Sequence, residues 1–308
     1  MTAIAVATGL WISSCNKGVI VRQPPPRTKK GPISLVYIEV NNNNLLNTGC
    51  YTLTKGGQPF FDIAVIFAAN INYDTTQKKA VLYNNPNVNQ VLTGYRTYVK
   101  PLQDLGIKVT LSILGNHEGA GIANFTSRAA ARDFATQLTQ AVNEYHLDGI
   151  DFDDEYADYG EDNGLPNAND SSFILLLSEL RKQMPDKLIT FYDIGPASYY
   201  TSYDGQEMGS LLNYAYNPYY GIFNPPSIPG MPNSQQGAAA IDFGSTDSAT
   251  ATSLASQTVA GGYGVIVWYD LSQTDESAYL AGSSNILYGS GVTVPTGCPQ
   301  PWVSPTGE

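Results

Sequence analysis

A single α/β barrel of the (β/α)8 type is the fold that this sequence predicts, and three observations indicate it. Strand-like runs alternate with helical runs from Gly31 to about residue 290, without a break in composition. The strand-like runs number eight, as in such a barrel. Polar and acidic residues directly follow several of them, and this fold carries its functional groups at the carboxyl ends of its strands.

Each strand candidate is a short run rich in apolar, β-branched and aromatic residues. The first ends at the polar run Asn41–Asn44, the third runs into Asn116 and His117, and the fourth is strongly acidic. The sixth is followed by Asn-Pro-Tyr-Tyr at 217–220. The eight candidates are Ile33–Val40, Phe61–Ala68, Lys108–Leu114, the acidic run 148–155, Leu188–Ile194, Leu212–Tyr216, Ala238–Phe243 and Gly264–Asp270.

Helical runs separate most of these strands, because apolar residues recur there at a period of three to four. Ser127 is suited to cap one helix and Pro185 ends another. The spacing between strands five and seven leaves room for loops but hardly for full helices, so we expect an irregular barrel. The predicted helices are Asn87–Leu105, Ser127–Tyr145, Asp170–Met184, Thr246–Ala260 and Thr274–Leu287.

The chain divides into a leader and linker (1–30), the barrel domain (31–290) and a C-terminal tail (291–308). Ala3–Ile12 is an apolar run of the length of a signal-peptide core, too short to span a bilayer. The segment that ends at Cys15 is similar to a lipoprotein processing site, although no Lys or Arg precedes Ala3. A basic, triple-proline linker follows. We expect an exported monomer without a transmembrane span, and a lipid anchor at Cys15 is left open.

Composition limits the classes of partner. The formal net charge is −11, and the one basic cluster lies in the linker, so a nucleic-acid partner is not expected. Charged residues make up only 14% of the chain, with 21 tyrosines, which suits a carbohydrate-handling surface or equally a secreted protein with a neutral polar surface. His117 and His146 are the two histidines and no metal-ligand spacing occurs, so no metal site is expected. Whether Cys50 pairs with Cys298 is open.

The acidic run is the main candidate for chemistry. Because side chains alternate along a strand, Asp151, Asp153 and Glu155 share one face, about 6–7 Å from one to the next. Like charges so close resist ionisation, so such a row binds a cation, shares protons or performs acid–base chemistry. A calcium site would require a ligand loop, whereas Ile150 and Phe152 on the other face indicate a buried strand. A solvated acidic turn is the third alternative.

Acid–base chemistry fits the order of the acids. Glycoside cleavage uses carboxyl groups beside the scissile bond. Glu155, the outermost acid, would be nearest solvent and substrate. Asp153 would raise the pKa of Glu155 by repulsion, which helps to keep Glu155 protonated as a general acid.

The spacing Asp148-x-x-Asp151-x-Asp153-x-Glu155 matches the signature of glycoside hydrolase family 18. Beyond it, the stretches 37–43, 65–74, 114–117, 148–156 and 217–221 resemble the bacterial endo-β-N-acetylglucosaminidases of that family. The resemblance covers over four-fifths of the chain. It implies a retaining hydrolase, without metal or organic cofactor, that cuts between the two core N-acetylglucosamines (GlcNAc) of N-linked glycans, high-mannose and hybrid types above all.

The resemblance also implies residue roles. The 2-acetamido oxygen of the sugar attacks its own anomeric carbon, an exception to the scheme with two catalytic carboxyls. Glu155 protonates the leaving oxygen and later activates water, Asp153 orients the acetamide group, and Asp151 shares a proton with Asp153. Tyr219 corresponds to a tyrosine that hydrogen-bonds the acetamide oxygen.

Substrate contacts are expected from further strand ends. Asn217 corresponds to an amide side chain in relatives, although Asn-Pro-Tyr-Tyr-Gly is equally a tight turn. Trp268 and Tyr269 are candidates for the aromatic floor under the sugar, and the register of the last strand decides between them. Tyr192 either contacts the sugar or packs in the core. Asn116, with His117, is expected at the rim.

Two other functions remain in view. A chitinase shares the signature but usually has a groove lined by several tryptophans, and this chain has three tryptophans, with Trp11 in the leader and Trp302 in the tail. A non-catalytic glycan-binding barrel would be marked by loss of the terminal acid, and Glu155 is present.

Overall fold

The computed structural model describes residues 29–160 and 164–305. The predicted leader, with Cys15, therefore lies outside the described residues. The parallel strands form a nearly closed barrel, which confirms the predicted fold class. The strands are β1 (Ile33–Glu39), β2 (Ile63–Asp74), β3 (Lys108–Leu114), β4 (Gly149–Asp153), β5 (Leu188–Tyr192), β6 (Tyr214–Tyr216), β7 in two pieces (Gln236–Gly237 and Ala239–Asp242) and β8 (Val265–Tyr269).

The strands follow chain order around the barrel, and β8 pairs with β1. The interrupted β7 completes the ring, because its first piece pairs with β6 and its second with β8. Only Ala238 separates the two pieces. All these pairings are parallel, so every strand delivers its carboxyl end to the same face of the barrel.

Helices cover the barrel unevenly. No α-helix lies between β1 and β2, between β5 and β6, or between β6 and β7. Short 3-10 helices and loops form these three connections instead. The expected loss of crossover helices between strands five and seven is thus confirmed. Among the described residues no helix is long and apolar enough to cross a membrane. The helices are α1 (Pro86–Thr93), α2 (Tyr95–Tyr98), α3 (Lys100–Asp104), α4 (Arg128–Glu144), α5 (Ser172–Gln183), α6 (Ser248–Ala260) and α7 (Ser277–Tyr288).

The single helix predicted over Asn87–Leu105 is wrong, since the structure has the three short helices α1 to α3 there. Gly94 ends α1, where its N–H donates to the carbonyl of Gln90. Pro101 lies in the first turn of α3, where its missing N–H is tolerated, whereas inside a long helix it would remove a hydrogen bond.

The second strand is longer than predicted. It continues through Asp74 and forms an antiparallel hairpin with Lys79–Tyr83. Beyond Ala69 both strands of this hairpin leave the buried sheet, so polar residues such as Asn70 and Asn72 alternate with apolar ones. Such a mixed pattern does not distinguish an exposed strand from a loop.

Buried side chains form two layers, separated by the sheet. Alternation along each strand assigns side chains to one layer or the other. On β8, Val265 and Val267 point inward, while Ile266 and Trp268 belong to the layer under the helices. Each large side chain buried in this way stabilises the fold by about 1.5–3 kcal/mol. The interior layer comprises Leu35, Tyr37, Ile63, Val65, Tyr192, Tyr216, Ala240, Val265 and Val267.

The segment after α7, predicted as a separate tail, packs back onto the barrel. Val292–Thr293 pairs antiparallel with Thr52–Leu53. Cys298 forms a disulfide with Cys50, so the two cysteines do pair. The indole Nε1 of Trp302 donates to Asn87 Oδ1 over 3.3 Å. Residues 291–305 are therefore part of the folded unit.

Candidate active site

Strand β4 fixes the deepest of the three acids, Asp151. Its neighbours at the same level on β3 and β5 are Ser112 and Thr190, and all three point into the barrel. Their hydroxyls, with that of Tyr37 on β1, donate to the Asp151 carboxylate over 2.9, 2.5 and 3.0 Å respectively. Burial raises the pKa of Asp151 to about 6, while these hydrogen bonds oppose the rise.

Asp153 lies one level nearer the carboxyl ends, beside Tyr192. It is buried, and its Oδ1 has no hydrogen-bond partner among the described residues. Burial raises the pKa of Asp153 well above its ordinary value, and the charges of Glu155 and Asp151 add to the rise. Asp153 therefore holds a proton in a pH range where most carboxyls have lost theirs.

Glu155 lies just beyond the end of β4 and is half-buried. Burial raises its pKa, and a hydrogen bond with the Asp153 carboxyl partly opposes that rise. Two neighbouring acids that interact in this way titrate as a pair, so a proton bound to the pair can be held by either carboxyl.

The outer two acids border a cavity of about 280 Å³ at the carboxyl ends of the strands. Six aromatic side chains, each from a different strand or the loop after it, make up most of its wall. Such a lining suits the apolar faces of a sugar ring, while the carboxyls supply polar contacts. The lining residues are Tyr37, Phe67, Asp153, Glu155, Tyr156, Tyr192, Ile194, Pro218, Tyr220 and Tyr269.

The aromatic wall is packed against itself. Tyr220 stacks on Tyr269 with ring centroids 5.4 Å apart and an interplanar angle of 20°. Phe67 makes edge contacts with Tyr37 and Tyr269. The hydroxyl of Tyr269 donates to Glu39 Oε2 over 3.2 Å. These contacts hold the wall in place before any ligand enters.

Several residues predicted from the sequence do meet at this site. Asp153, Glu155, Tyr192 and Tyr269 line the cavity, and Asp151 lies beneath it. Of the pair left open on β8, Tyr269 is the one that faces the cavity.

Two predicted residues lie elsewhere. Trp268 is fully buried in the outer layer, stacked on Phe243, because it alternates with the inward-facing Val267 and Tyr269. Tyr219 is 53% exposed and is not part of the cavity wall, whereas the next residue, Tyr220, is. Of these two neighbouring tyrosines, Tyr220 is therefore the one that lines the cavity.

Asn217 acts on the loop that carries these tyrosines. It is fully buried, its amide N–H groups donate to the carbonyls of Tyr219, Ile222 and Ala238, and its Oδ1 accepts from the Tyr219 N–H. Its hydrogen-bonding groups are thus occupied by the turn, the alternative that the sequence left open.

Asn116 and His117 lie in the loop after β3, outside the cavity wall. The Asn116 amide donates to Asn72 Oδ1 over 3.0 Å. His117 Nδ1 lies 2.8 Å from Asp158 Oδ2, and its ring is largely exposed. Both residues are on the face that carries the cavity.

Several wall residues were missed from the sequence. Tyr37 precedes Glu39 by two positions on β1, so alternation places both on the inner face, and this signal was available. Phe67 follows the same rule on β2 after Ile63 and Val65. Tyr220 and Pro218 lie on an irregular loop, where no periodicity applies.

A row of acids that faces an aromatic cavity at the carboxyl ends of a parallel barrel is the site of a carbohydrate-cleaving hydrolase. The model of "Glycosyl hydrolases family 18" matches residues 37–225. The chain is 53% identical over 86% of its length to an endo-beta-N-acetylglucosaminidase of Flavobacterium sp. (strain SK1022), of which it covers 83%. The chain therefore belongs to glycosyl hydrolase family 18.

Two further relatives agree. Endo-beta-N-acetylglucosaminidase F1 of Elizabethkingia meningoseptica is 39% identical over 82% of this chain and 75% of its own. The crystal structure of Bacteroides thetaiotamicron EndoBT-3987 in complex with Man9GlcNAc2Asn matches with a TM-score of 0.79 and 30% identity over 92% of this chain. That protein is longer, and this chain spans 74% of it in that structure and 66% in a second one.

Among the described residues, no group of three or more His, Cys, Asp or Glu side chains is arranged to hold a metal ion.

Proposed function

We propose that this glycoside hydrolase is an endo-β-N-acetylglucosaminidase that hydrolyses the β-1,4 bond between the two core GlcNAc residues of N-linked glycans. The names of the two curated relatives support the reaction. EndoBT-3987, whose structure holds Man9GlcNAc2Asn, supports high-mannose glycans as substrates. The observation that carries the proposal is the pair Glu155 and Asp153 at one wall of the aromatic cavity.

Glu155 is the proposed proton donor. It is the more exposed acid of the pair, so a leaving oxygen at the mouth of the cavity can reach it. Its raised pKa helps it to hold a proton near neutral pH. After the first bond is cut, the same carboxylate takes a proton from the incoming water.

Asp153 is the proposed partner of the sugar acetamide group. Its Oδ1 accepts no hydrogen bond from the part of the chain that the structure describes, and an acetamide N–H in the cavity supplies the missing donor. That hydrogen bond favours the ionised form of Asp153, so the shared proton moves to Glu155, where it is needed. Asp153 also stabilises positive charge on the acetamide nitrogen while the acetamide oxygen attacks the anomeric carbon, a substrate-assisted route that retains configuration.

Asp151 and the aromatic wall complete the site. Asp151 adds negative charge behind Asp153. Three hydroxyl groups donate hydrogen bonds to Asp151 and so fix the position of its carboxylate. Tyr220 faces the acids. Burial raises the pKa of its hydroxyl, and the charges of Asp153 and Glu155 add to the rise. We assign to Tyr220 the hydrogen bond to the acetamide oxygen that the sequence resemblance gave to Tyr219.

Export belongs to the same proposal. A disulfide between Cys50 and Cys298 suits an oxidising compartment, and N-linked glycoproteins are encountered outside the cell. A free monomer and a lipoprotein anchored at Cys15 are both compatible with this role.

Mass spectrometry of a high-mannose glycoprotein after incubation tests the proposal. We expect each site to keep one GlcNAc and the released glycan to show retained anomeric configuration. Glu155→Gln should lower turnover by about 10²–10⁴-fold while glycan affinity is kept, because only proton transfer is lost. An intact glycoprotein together with cleaved chitin oligomers would indicate a chitinase instead, and full activity of Glu155→Gln would exclude Glu155 as the donor.

A further inference from the structure

The segment that carries Glu155 has no regular structure of its own. Strand β4 ends at Asp153, so ladder hydrogen bonds do not fix the next two residues. Proton transfer requires the donor within hydrogen-bond reach of the leaving oxygen. Contacts outside the strand must therefore hold this segment in position.

Asp154 provides such contacts from the face opposite the cavity. Its side chain is buried, and its two carboxylate oxygens accept from different loops. The N–H of Ala197, after β5, donates to Oδ2 over 2.7 Å, and the Tyr159 hydroxyl donates to Oδ1. The Tyr159 oxygen in turn accepts from the N–H of Ala123, after β3, over 3.0 Å. One carboxylate thus joins the loops that follow three adjacent strands.

The backbone on both sides of Asp154 is closely confined. The N–H of Gly115 donates to the carbonyl of Glu155 over 3.0 Å. A Cβ at Gly115 would lie 2.4 Å from that carbonyl oxygen, and one at Gly195 would lie 2.0 Å from the carbonyl oxygen of Asp154. Only glycine permits these approaches. The backbone of this segment is therefore tightly enclosed, and the hydrogen bonds of the Asp154 side chain fix it further.

We propose that Asp154 is a positioning residue for Glu155, which it holds through Ala197 and Tyr159 in the orientation for proton transfer. This inference rests on the proposed function. Among the described residues, none of these three hydrogen bonds involves the cavity wall on β1, β2 or β8, so we expect the network to affect proton transfer more than glycan binding. A carboxylate suits the position because both of its oxygens accept, whereas an amide offers one acceptor.

The test compares Asp154→Ala and Asp154→Asn with a control variant of an aspartate at the opposite end of β4. Asp148 precedes β4 at its other end, and its carboxylate accepts from Gln103, Lys108 and Val109. We expect Asp154→Ala to lower kcat by about 10–100-fold with KM changed less than threefold, because a misplaced acid loses proton-transfer catalysis and not binding. Asp154→Asn should recover part of kcat, and Asp148→Asn should lower Tm with kcat unchanged.

Crystal structures of the wild type and the Asp154 variants separate this proposal from the proposed function. The Glu155 carboxyl should move relative to Asp153 in Asp154→Ala, whatever reaction the enzyme performs. If Asp154→Ala does not fold, Asp154→Asn removes one acceptor of the carboxylate, and Tyr159→Phe removes the hydroxyl that joins Asp154 to Ala123. Both variants are expected to show the same displacement on a smaller scale. An unmoved Glu155 in folded variants, or a fall in kcat matched by Asp148→Asn, would overturn the assignment.

Discussion

Replacing Asp151 with Asn should make the protein more stable as the pH rises, relative to the wild type. Asp151 is fully buried, and its pKa rises from an ordinary 3.8 to about 6 because of that burial. Between pH 4 and 6 the folded wild type keeps a proton that the unfolded chain has lost, so its stability falls as pH rises. Asparagine has no such proton. The free energy of unfolding of Asp151→Asn should therefore increase relative to that of the wild type as the pH rises from 4 to 6.

The magnitude follows from the pKa values. A rise from 3.8 to about 6 corresponds to about 3 kcal/mol, at about 1.4 kcal/mol for each tenfold change in proton affinity. The Asp151 charge also raises the pKa of Asp153, so its removal acts in the same direction. At pH 4 the variant should be no more stable than the wild type, because rearranged hydrogen bonds cost about 1 kcal/mol.

Urea unfolding of both proteins at intervals from pH 4 to 8 measures this difference. Asp74→Asn is a control of opposite sign, since the backbone N–H of Gln77 lowers the pKa of the exposed Asp74. Because the pKa of Asp74 in the folded protein lies below 3.8, that variant should lose stability relative to the wild type as the pH rises towards about 4, and the difference should stay nearly flat from pH 5 to 8. A difference for Asp151→Asn that stays flat, or falls with pH, would mean that the three hydroxyl hydrogen bonds outweigh burial.

Two further predictions concern which aromatic residue serves the site. Tyr220→Phe should lower kcat by about 10²-fold, because the attacking acetamide oxygen loses the hydrogen bond that orients it, whereas Tyr219→Phe should leave kinetics unchanged; equal effects would contradict the placement of Tyr220 in the cavity. Trp268→Ala should lower the free energy of unfolding by about 3–5 kcal/mol but leave KM unchanged in the folded protein, and Tyr269→Ala should raise KM. A raised KM in Trp268→Ala alone would contradict the outward orientation of the indole.

The barrel and the acid row were predictable because each depends on a short-range pattern. Strands buried on both faces read as apolar runs, and alternation places Asp151, Asp153 and Glu155 together on one face without any tertiary knowledge. The same rule would have found Tyr37 from its spacing to Glu39. Once the orientation of one inward residue on β8 is known, it also decides between Trp268 and Tyr269.

The loops were less predictable because their conformation depends on distant partners. Tyr219 and Tyr220 differ in exposure because Asn217 bonds to Ile222 and to Ala238 on the next strand, a contact that no local pattern encodes. Likewise, the expected long helix breaks at Gly94. The sequence did not reveal this break, because an isolated glycine is sometimes tolerated inside a helix.

The disulfide between Cys50 and Cys298 joins residues 248 positions apart, and so encloses β2 to β8 in one covalent ring. A protease that cuts once anywhere inside this ring cannot separate the two fragments, which stay linked through the sulfurs. A nicked molecule would thus migrate as one species until a reductant is added. A single cut in an exposed loop therefore leaves the two fragments tethered to each other.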